Sequence, residues 1–285
     1  MLEASALTKD FGETRAVADV SFDVHPGEVV GLLGANGAGK TTAIRMLLGL
    51  LAPTSGSAHL LGAPPSLRSR RELGYVPQGL GLYQELTVAE NLAFAAQAYG
   101  GQPAELTGAL ADAADRQLNG VPLGMQRQLA FLCALQHSPK VLVLDEPTSG
   151  VDPLARARLW DTVREQADNG VAVLVTTHYM QEARQCDRLL LMSRGAVVGR
   201  GSEADIVGDT RVVLVETVAW QRAFAALDEA GLPVTLAGTA VRVVGVTPER
   251  VAQVLGEAGV DGRPLQATAT IDERMVLLAM APSTT

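Results

Sequence analysis

Short, unbroken apolar runs recur through the first two-thirds of the chain, each closed by glycine, proline or a polar cluster: Glu28–Leu33 (EVVGLL), Leu73–Pro77 (LGYVP), Val141–Leu144 (VLVL), Val171–Thr176 (VAVLVT) and Arg188–Met192 (RLLLM). Runs of this length with little polar alternation predict strands covered on both faces, as in a parallel sheet. Between them the apolar period changes to that of a helix. Thr41–Leu50 is one such stretch. Glu85–Gly100 is another, with Val88, Leu92, Ala95, Ala96 and Tyr99 on one face and Thr87 placed to cap it. Helices are also predicted over Ala104–Leu118, over Met125–Leu135 with Leu129, Leu132 and Cys133 inward, over Leu154–Asn169 and over Tyr179–Cys186. Ahead of this alternation, Leu7–Phe11 and Glu13–Phe22 precede the turn His25-Pro26-Gly27. They predict a small antiparallel sheet beside the EVVGLL strand, and Gly56–Leu61 adds a short strand.

The pattern changes again from Arg211. Arg211–Thr217, Val234–Leu236, Val241–Val246 and Leu265–Ala269 are predicted strands, and Gly238 marks a hairpin. Ala219–Ala230, with Trp220, Phe224 and Leu227 on one face, and Pro248–Ala258, with Val251, Val254 and Leu255 inward, are predicted helices. A last helical stretch covers Ile271–Met280. The β-α-β-β-α-β order predicts a small α+β domain of ferredoxin-like topology over residues 208–285, behind an α/β domain over 1–207 that carries a helical insert at about 85–135.

The candidate chemistry begins at Gly34–Thr42, GANGAGKTT, which fits G-x-x-x-x-G-K-[ST]. In a chain with 29 glycines the pattern alone is a weak signal, but a strand runs into it and a helix leaves it. Glycines let the backbone turn its N–H groups toward phosphate oxygens, and the helix start adds its positive end. This makes Asn36, Gly37, Ala38, Gly39, Lys40, Thr41 and Thr42 the expected phosphate cradle, with Lys40 on the terminal phosphates and the Thr41 hydroxyl on Mg²⁺.

The VLVL strand delivers Asp145 and Glu146 together at its carboxyl end. Adjacent carboxylates there are costly without a metal or a proton to manage. Asp145 suits Mg²⁺, and Glu146 suits a base that orients or deprotonates an attacking water. Three further residues sit at strand ends where either a structural or a ligand role fits. Phe11 beside Gly12 offers a ring for sheet packing or for stacking on adenine. Gln78 is a loop amide or a ligand to Mg²⁺ or its water. His178 is a satisfied histidine or a γ-phosphate contact.

The formal charge of -8 and the absence of a Lys/Arg-rich block, beyond the short run Arg68, Arg70 and Arg71, argue against a nucleic-acid partner. Cys133 and Cys186 have no metal-ligand spacing and read as reduced thiols of a cytosolic protein. The opening MLEASALTKDFGE has no apolar segment of a secretory signal, and no run reaches the roughly 18 apolar residues of a membrane span. Membrane contact is therefore expected through a partner.

From Leu7 to about Ile206 the chain resembles the nucleotide-binding subunit of ATP-binding cassette transporters. Gly34–Thr42 resembles that family's Walker A loop, Val141–Glu146 its Walker B strand with the catalytic glutamate, and Phe11 its adenine-stacking aromatic. Gln78 resembles the Q-loop glutamine, Ser149–Asp152 the D-loop and His178 the switch histidine. The resemblance implies a P-loop NTPase core with a small antiparallel β subdomain. It further implies ATP and Mg²⁺ as cofactors, Glu146, His178 and Gln78 as catalytic residues, and Thr41, Gln78 and Asp145 around the metal. As partners it implies a membrane permease and a second cassette subunit, as homodimer or heterodimer, on the cytoplasmic face of the membrane. A small C-terminal domain of this type suggests export, of a drug, lipid or polysaccharide.

The sequence departs from the family at the signature loop. Where the family has L-S-G-G, the residues here are Val121-Pro122-Leu123-Gly124. Pro122 has neither hydroxyl nor N–H, Leu123 adds bulk, and Gly124 alone remains as a nucleotide contact. The segment Gly100–Gly120 is also short by about one helix. These departures leave open an alternative, a regulatory or degenerate subunit with little turnover in an asymmetric heterodimer.

Overall fold

The computed structural model describes the backbone of residues 1–280, and their side chains except at 180, 279 and 280. The chain divides into two compact units, 1–200 and 201–285; the sequence pattern had suggested a boundary at 208.

In the first unit β1 (Leu2–Phe11) and β2 (Thr14–Val24) form an antiparallel hairpin, and β4 (Ser55–Leu60) adds to the other edge of β1, giving the order β2-β1-β4. β1 begins earlier than the sequence suggested because Leu2 and Ala4 alternate inward and pair with Val24 and Phe22. Between them in sequence lie β3 (Val29–Leu33) and α1 (Lys40–Leu47). The short α2 (Leu67–Arg70) leads to β5 (Leu73–Val76). After the helical insert come β6 (Val141–Asp145), α6 (Pro153–Asp168), β7 (Ala172–Thr177), α7 (Met180–Ala183), β8 (Arg188–Ser193) and β9 (Ala196–Gly201).

The insert contributes α3 (Val88–Ala98), α4 (Gly108–Asp112) and α5 (Leu123–Leu135). Thr87 caps α3 in a capping box with Glu90. The predicted helix over Ala104–Leu118 shrinks to α4 plus a 3-10 turn at Leu118–Gly120. Backbone groups of this stretch bond elsewhere: Val88 N–H donates to the Arg116 carbonyl, Ala89 N–H to that of Ala114, and Leu118 N–H to that of Leu86. A carbonyl engaged by a neighbouring segment is lost to the helical ladder. The helix expected over Tyr179–Cys186 likewise closes as α7, because Gln185 and Cys186 donate to carbonyls three residues back.

The main sheet has the order β5-β6-β7-β3-β8-β9, and its first five strands are parallel. Its pleat sends Val30, Leu32, Val141 and Val143 toward α1 and the antiparallel sheet, where Ile44, Leu47, Leu2 and Val20 meet them. Val29, Leu142, Leu144 and Val173 face the other way, onto Phe131 of α5 and Leu159, Trp160 and Val163 of α6. Both faces are covered, which explains why these strands read as continuous apolar runs. Strand β7 lies between β3 and β6, and the register pairs Leu33 with Thr177 and Asp145 with Thr176. The glycine loop, the carboxylates and the residues after β7 therefore emerge together at one edge of the sheet.

The second unit starts with α8 (Glu203–Val207), capped by Ser202, and continues as β10 (Val212–Glu216), α9 (Trp220–Glu229), β11 (Val234–Ala237), β12 (Ala240–Val244), α10 (Pro248–Glu257), β13 (Arg263–Ala267) and α11 (Ile271–Met280). The order β11-β12-β10-β13, antiparallel throughout, is the ferredoxin-like arrangement of a split βαβ domain. Val213, Val215, Val241 and Val243 form its core with Ala223, Leu227, Val251 and Leu255.

Candidate functional site

The loop between β3 and α1 is shaped by glycines that act differently. Gly39, the residue capping α1, has φ 99°, and a Cβ there would stand 2.5 Å from the Ala16 carbonyl oxygen. Gly37 has φ 81° with open space where a Cβ would project. One glycine lets β2 approach the loop; the other keeps its outer side clear. Asn36, Gly37, Ala38, Gly39, Lys40, Thr41 and Thr42 line a cleft of about 270 Å³ together with Ala16, Gln78 and Glu146. Such a turn at a helix start is a ready anion cradle.

Lys40 is only 5% exposed, and its ammonium donates to the Gly34 and Ala35 carbonyls at 2.7 and 3.2 Å. It stands 3.5 Å from Oε1 of Glu146. The other carboxylate oxygen of Glu146 accepts from the Gln78 amide at 3.4 Å and lies 3.3 Å from His178 Nδ1. Glu146 is thus the meeting point of Lys40 at the start of α1, Gln78 after β5 and His178 after β7. Its backbone is held at φ 51°, a region a non-glycine residue enters at a cost of about 1–2 kcal/mol. Its N–H donates to the hydroxyl and carbonyl of Thr176, at 2.9 and 3.2 Å.

Asp145 is buried beside it. One carboxylate oxygen accepts from the Thr176 hydroxyl at 2.6 Å, and the other, Oδ2, has no hydrogen-bond partner. A buried, unpartnered carboxylate oxygen suits a hard cation. Among the described residues no cluster of His, Cys, Asp and Glu could bind a metal unaided. Mg²⁺ takes one or two protein oxygens and completes its shell with phosphate and water; Asp145 and Thr41 would be the residues to offer them.

Of the expected site residues, Asp145, His178, Phe11 and Gly124 are not among those lining the cleft; the first two adjoin Glu146, and Phe11 and Gly124 lie on other segments. Phe11, at the β1–β2 turn, is 51% exposed, with Lys9 Nζ 5.2 Å from its ring centroid. Gly124 lies in the first turn of α5, where a Cβ would meet Ala155 and Asp152 at 3.7 and 3.9 Å. Its neighbour Pro122 caps α5 without a side-chain bond, and Leu123 is 41% exposed.

Three residues that the sequence did not single out complete the site. Thr176 bonds both carboxylate-bearing residues. Arg127, buried in α5, donates to the carbonyls of Glu146 and Ser149 at 3.1 and 2.7 Å. Burial lowers its pKa, against the pull of the Glu146 charge. Glu182, 2% exposed, accepts from the Thr148 hydroxyl and faces Arg156 at 3.6 Å. A signal for Arg127 was available: it shares one helical face with Ala130, Phe131 and Ala134, all buried. A cation on that stripe needs a buried acceptor.

Residues 17–149 match the family model described as ABC transporter. The chain is 43% identical over 219 residues to the probable multidrug ABC transporter ATP-binding protein YbhF of Escherichia coli (strain K12), in a match covering 72% of this chain and 38% of that protein. It therefore spans well under half the length of that relative. It is 38% identical over 219 residues to the Nod factor export ATP-binding protein I of Paraburkholderia xenovorans (strain LB400), covering 72% of each. Among solved structures, an ATP-binding subunit of an ABC transporter matches with a TM-score of 0.65 at 32% identity, over 72% of this chain and 91% of that one. A dimeric ATP-binding cassette bound to ADP and Pi shares the fold, with a TM-score of 0.63 at 22% identity, over 71% of this chain and 98% of that one. The P-loop cleft and the paired carboxylates thus sit on a cassette fold whose sequence matches extend over 72% of the chain, and the chain belongs to the ABC transporter family, among its ATP-binding subunits.

Proposed function

We propose that this chain binds ATP with Mg²⁺ in the Asn36–Thr42 cleft, hydrolyses it at Glu146, and so powers export of a substrate through a separate membrane permease. The observation that carries the reading is the convergence of Lys40, Gln78 and His178 on the Glu146 carboxylate at the mouth of the glycine loop. The loop N–H groups and Lys40 bind the phosphates, and Phe11 lies against the base. Thr41 and Asp145 would hold Mg²⁺, with Gln78 beside them, and the ion would supply charge neutralisation for the phosphates. Glu146 accepts the proton of the attacking water. His178 orients the water and the γ-phosphate, and Gln78 carries the state of the site to the permease.

No helix among the described residues is long and apolar enough to cross a membrane. The proposed placement is peripheral, on the cytoplasmic face, with a second cassette whose nucleotide meets Gly124. Export as the direction is supported by the name of the Nod factor export relative. Pro122 and Leu123 favour a second reading, a regulatory or degenerate subunit with little turnover in an asymmetric heterodimer. Glu146→Gln separates the two. Single-turnover hydrolysis in the assembled complex should fall by at least about a hundredfold with ATP binding retained; hydrolysis already negligible in the parent complex favours the second reading, and a parent rate retained by the variant removes Glu146 from its role.

A further inference from the structure

The turn that follows Asp145 has an uncommon backbone. Glu146 sits at positive φ immediately before Pro147, and the Ser149 N–H closes the turn onto the Glu146 carbonyl at 3.3 Å. The residue before a proline is normally pushed into an extended conformation, so local preference works against this one. The Thr176 bonds hold the N–H side of Glu146. On the carbonyl side stands Arg127, reaching from α5 with one guanidinium nitrogen on the Glu146 carbonyl and the other on that of Ser149. A planar fork spanning both ends of one turn fixes its shape as a single point charge cannot. Arg127 is only 5% exposed and its bond to the Glu146 carbonyl is buried, while Ser149 is half-buried.

We infer that Arg127 is a positioning residue for hydrolysis: its guanidinium holds the Glu146–Ser149 turn so that the Glu146 carboxylate stays in register with Lys40, Gln78 and His178. The inference rests on the proposed role of Glu146. Arg127 is not itself among the residues that line the cleft, and it meets Glu146 at the main-chain carbonyl rather than at the carboxylate, so it acts through the placement of Glu146. Displacing a catalytic group by about 1 Å can cost on the order of a hundredfold in rate. The position is also directional, because α5 begins at Leu123 and Gly124 and passes Arg127 one turn later. Any shift of that helix start is therefore transmitted to the turn bearing Glu146.

The test uses the full chain and compares Arg127→Met, Arg127→Lys, Glu146→Gln and the double variant Arg127→Met/Glu146→Gln. Affinity for a non-hydrolysable ATP analogue and single-turnover hydrolysis with Mg²⁺ are measured for each. Arg127→Met should lose roughly ten- to a hundredfold in hydrolysis with analogue affinity within about twofold of the parent. The double variant should be no slower than Glu146→Gln alone, because residues that act as a unit are not additive. Arg127→Lys keeps the charge and the stem but not the fork; it should remain slow, and it carries the test if the methionine variant fails to fold. Parent-like hydrolysis in a folded Arg127 variant, or an independent multiplicative loss in the double variant, overturns the inference. A Glu146→Gln protein that hydrolyses at the parent rate overturns instead the proposed role of Glu146.

Discussion

The two units bury charge in opposite ways. In the C-terminal unit Glu273 is nearly inaccessible, yet its carboxylate takes Arg242 Nη2 at 3.1 Å and the N–H and hydroxyl of Thr270 at 2.8 and 3.1 Å, with Arg242 Nε on its second oxygen. In the cassette unit Lys40, Asp145, Glu146, Arg127 and Glu182 are all buried, and Asp145 Oδ2, Arg127 Nε and Glu182 Oε2 have no hydrogen-bond partner. Among the described residues, every buried side-chain nitrogen or oxygen without a hydrogen-bond partner lies in the cassette unit, as does every non-glycine residue of positive φ. Polar burial that is fully paired serves a fold. Polar burial that converges with open valences, at the carboxyl edge of a parallel sheet, serves a ligand.

If this contrast is right, mutations in the two sets should separate stability from binding. Glu273→Ala strands Arg242 beside the α11 start and should destabilise the C-terminal unit by about 3 kcal/mol, measured by urea unfolding, with affinity for an ATP analogue unchanged. Lys40→Ala should do the reverse. Losing a charge-assisted bond of about 1.5–3 kcal/mol predicts roughly ten- to 150-fold weaker analogue binding, with little change in the unfolding midpoint. A Lys40 variant that binds as tightly as the parent would place the phosphates elsewhere.

The same contrast explains what the sequence made legible. Strands buried on both faces announced themselves as VLVL and VAVLVT, and the glycine loop stood in the required strand–helix context, so the sheet and its phosphate edge were readable from local pattern. Thr176 and Arg127 were hidden because their roles come from register and from tertiary approach. Nothing in VAVLVT states that Thr176 pairs with Asp145. The helix read into Ala104–Leu118 failed for the same reason, since the bonds that dismantle it run to Leu86 and to Val88 and Ala89, the first residues of α3. In the C-terminal unit the β-α-β-β-α-β order was sufficient, because its hairpin and two crossovers leave few topologies.

A smaller effect is expected at the start of α5, where Pro122 and Leu123 stand in the proposed signature loop. Pro122 gives the helix no side-chain cap, and a Leu123 methyl would stand 3.1 Å from a Cβ at Gly150. Replacing the pair, Pro122→Ser with Leu123→Gly, restores a hydroxyl and clears the approach of a partner's phosphate. A gain of about tenfold in ATP-dependent dimer closure is expected, the lower range for one hydrogen bond to a charged group. Unchanged closure and turnover in a folded protein would mean that this loop does not limit the site.

The smallest effect sharpens the comparison through pH. His137 in the cassette unit stacks on Tyr99 at 3.6 Å and contacts the Leu73 carbonyl at 3.1 Å. Burial lowers its pKa, outweighing the upward pull of that carbonyl and of the Glu72 charge. Below the usual histidine value of 6.5 the unfolded chain therefore binds a proton that the folded unit resists, and stability falls as pH drops through this range. Glu273 in the C-terminal unit is also lowered, by Arg242 and Thr270 against the cost of burial, but from 4.5. Its stabilisation is intact above 4.5 and is lost only as pH falls through its folded value. Between pH 6.5 and 4.5 the cassette unit should weaken first, by at most about 1.4 kcal/mol per pH unit for one proton. The chain's two tryptophans allow a direct reading, since Trp160 lies in α6 and Trp220 in α9. Trp220→Phe leaves fluorescence to report on the cassette unit, and Trp160→Phe leaves it to report on the other. The midpoint of urea unfolding seen through Trp160 should drop between pH 7 and 5 and flatten in His137→Gln, while that seen through Trp220 should hold until below pH 4.5. Equal slopes at both tryptophans would mean that the two units share one acid response, and that the histidine is not its source.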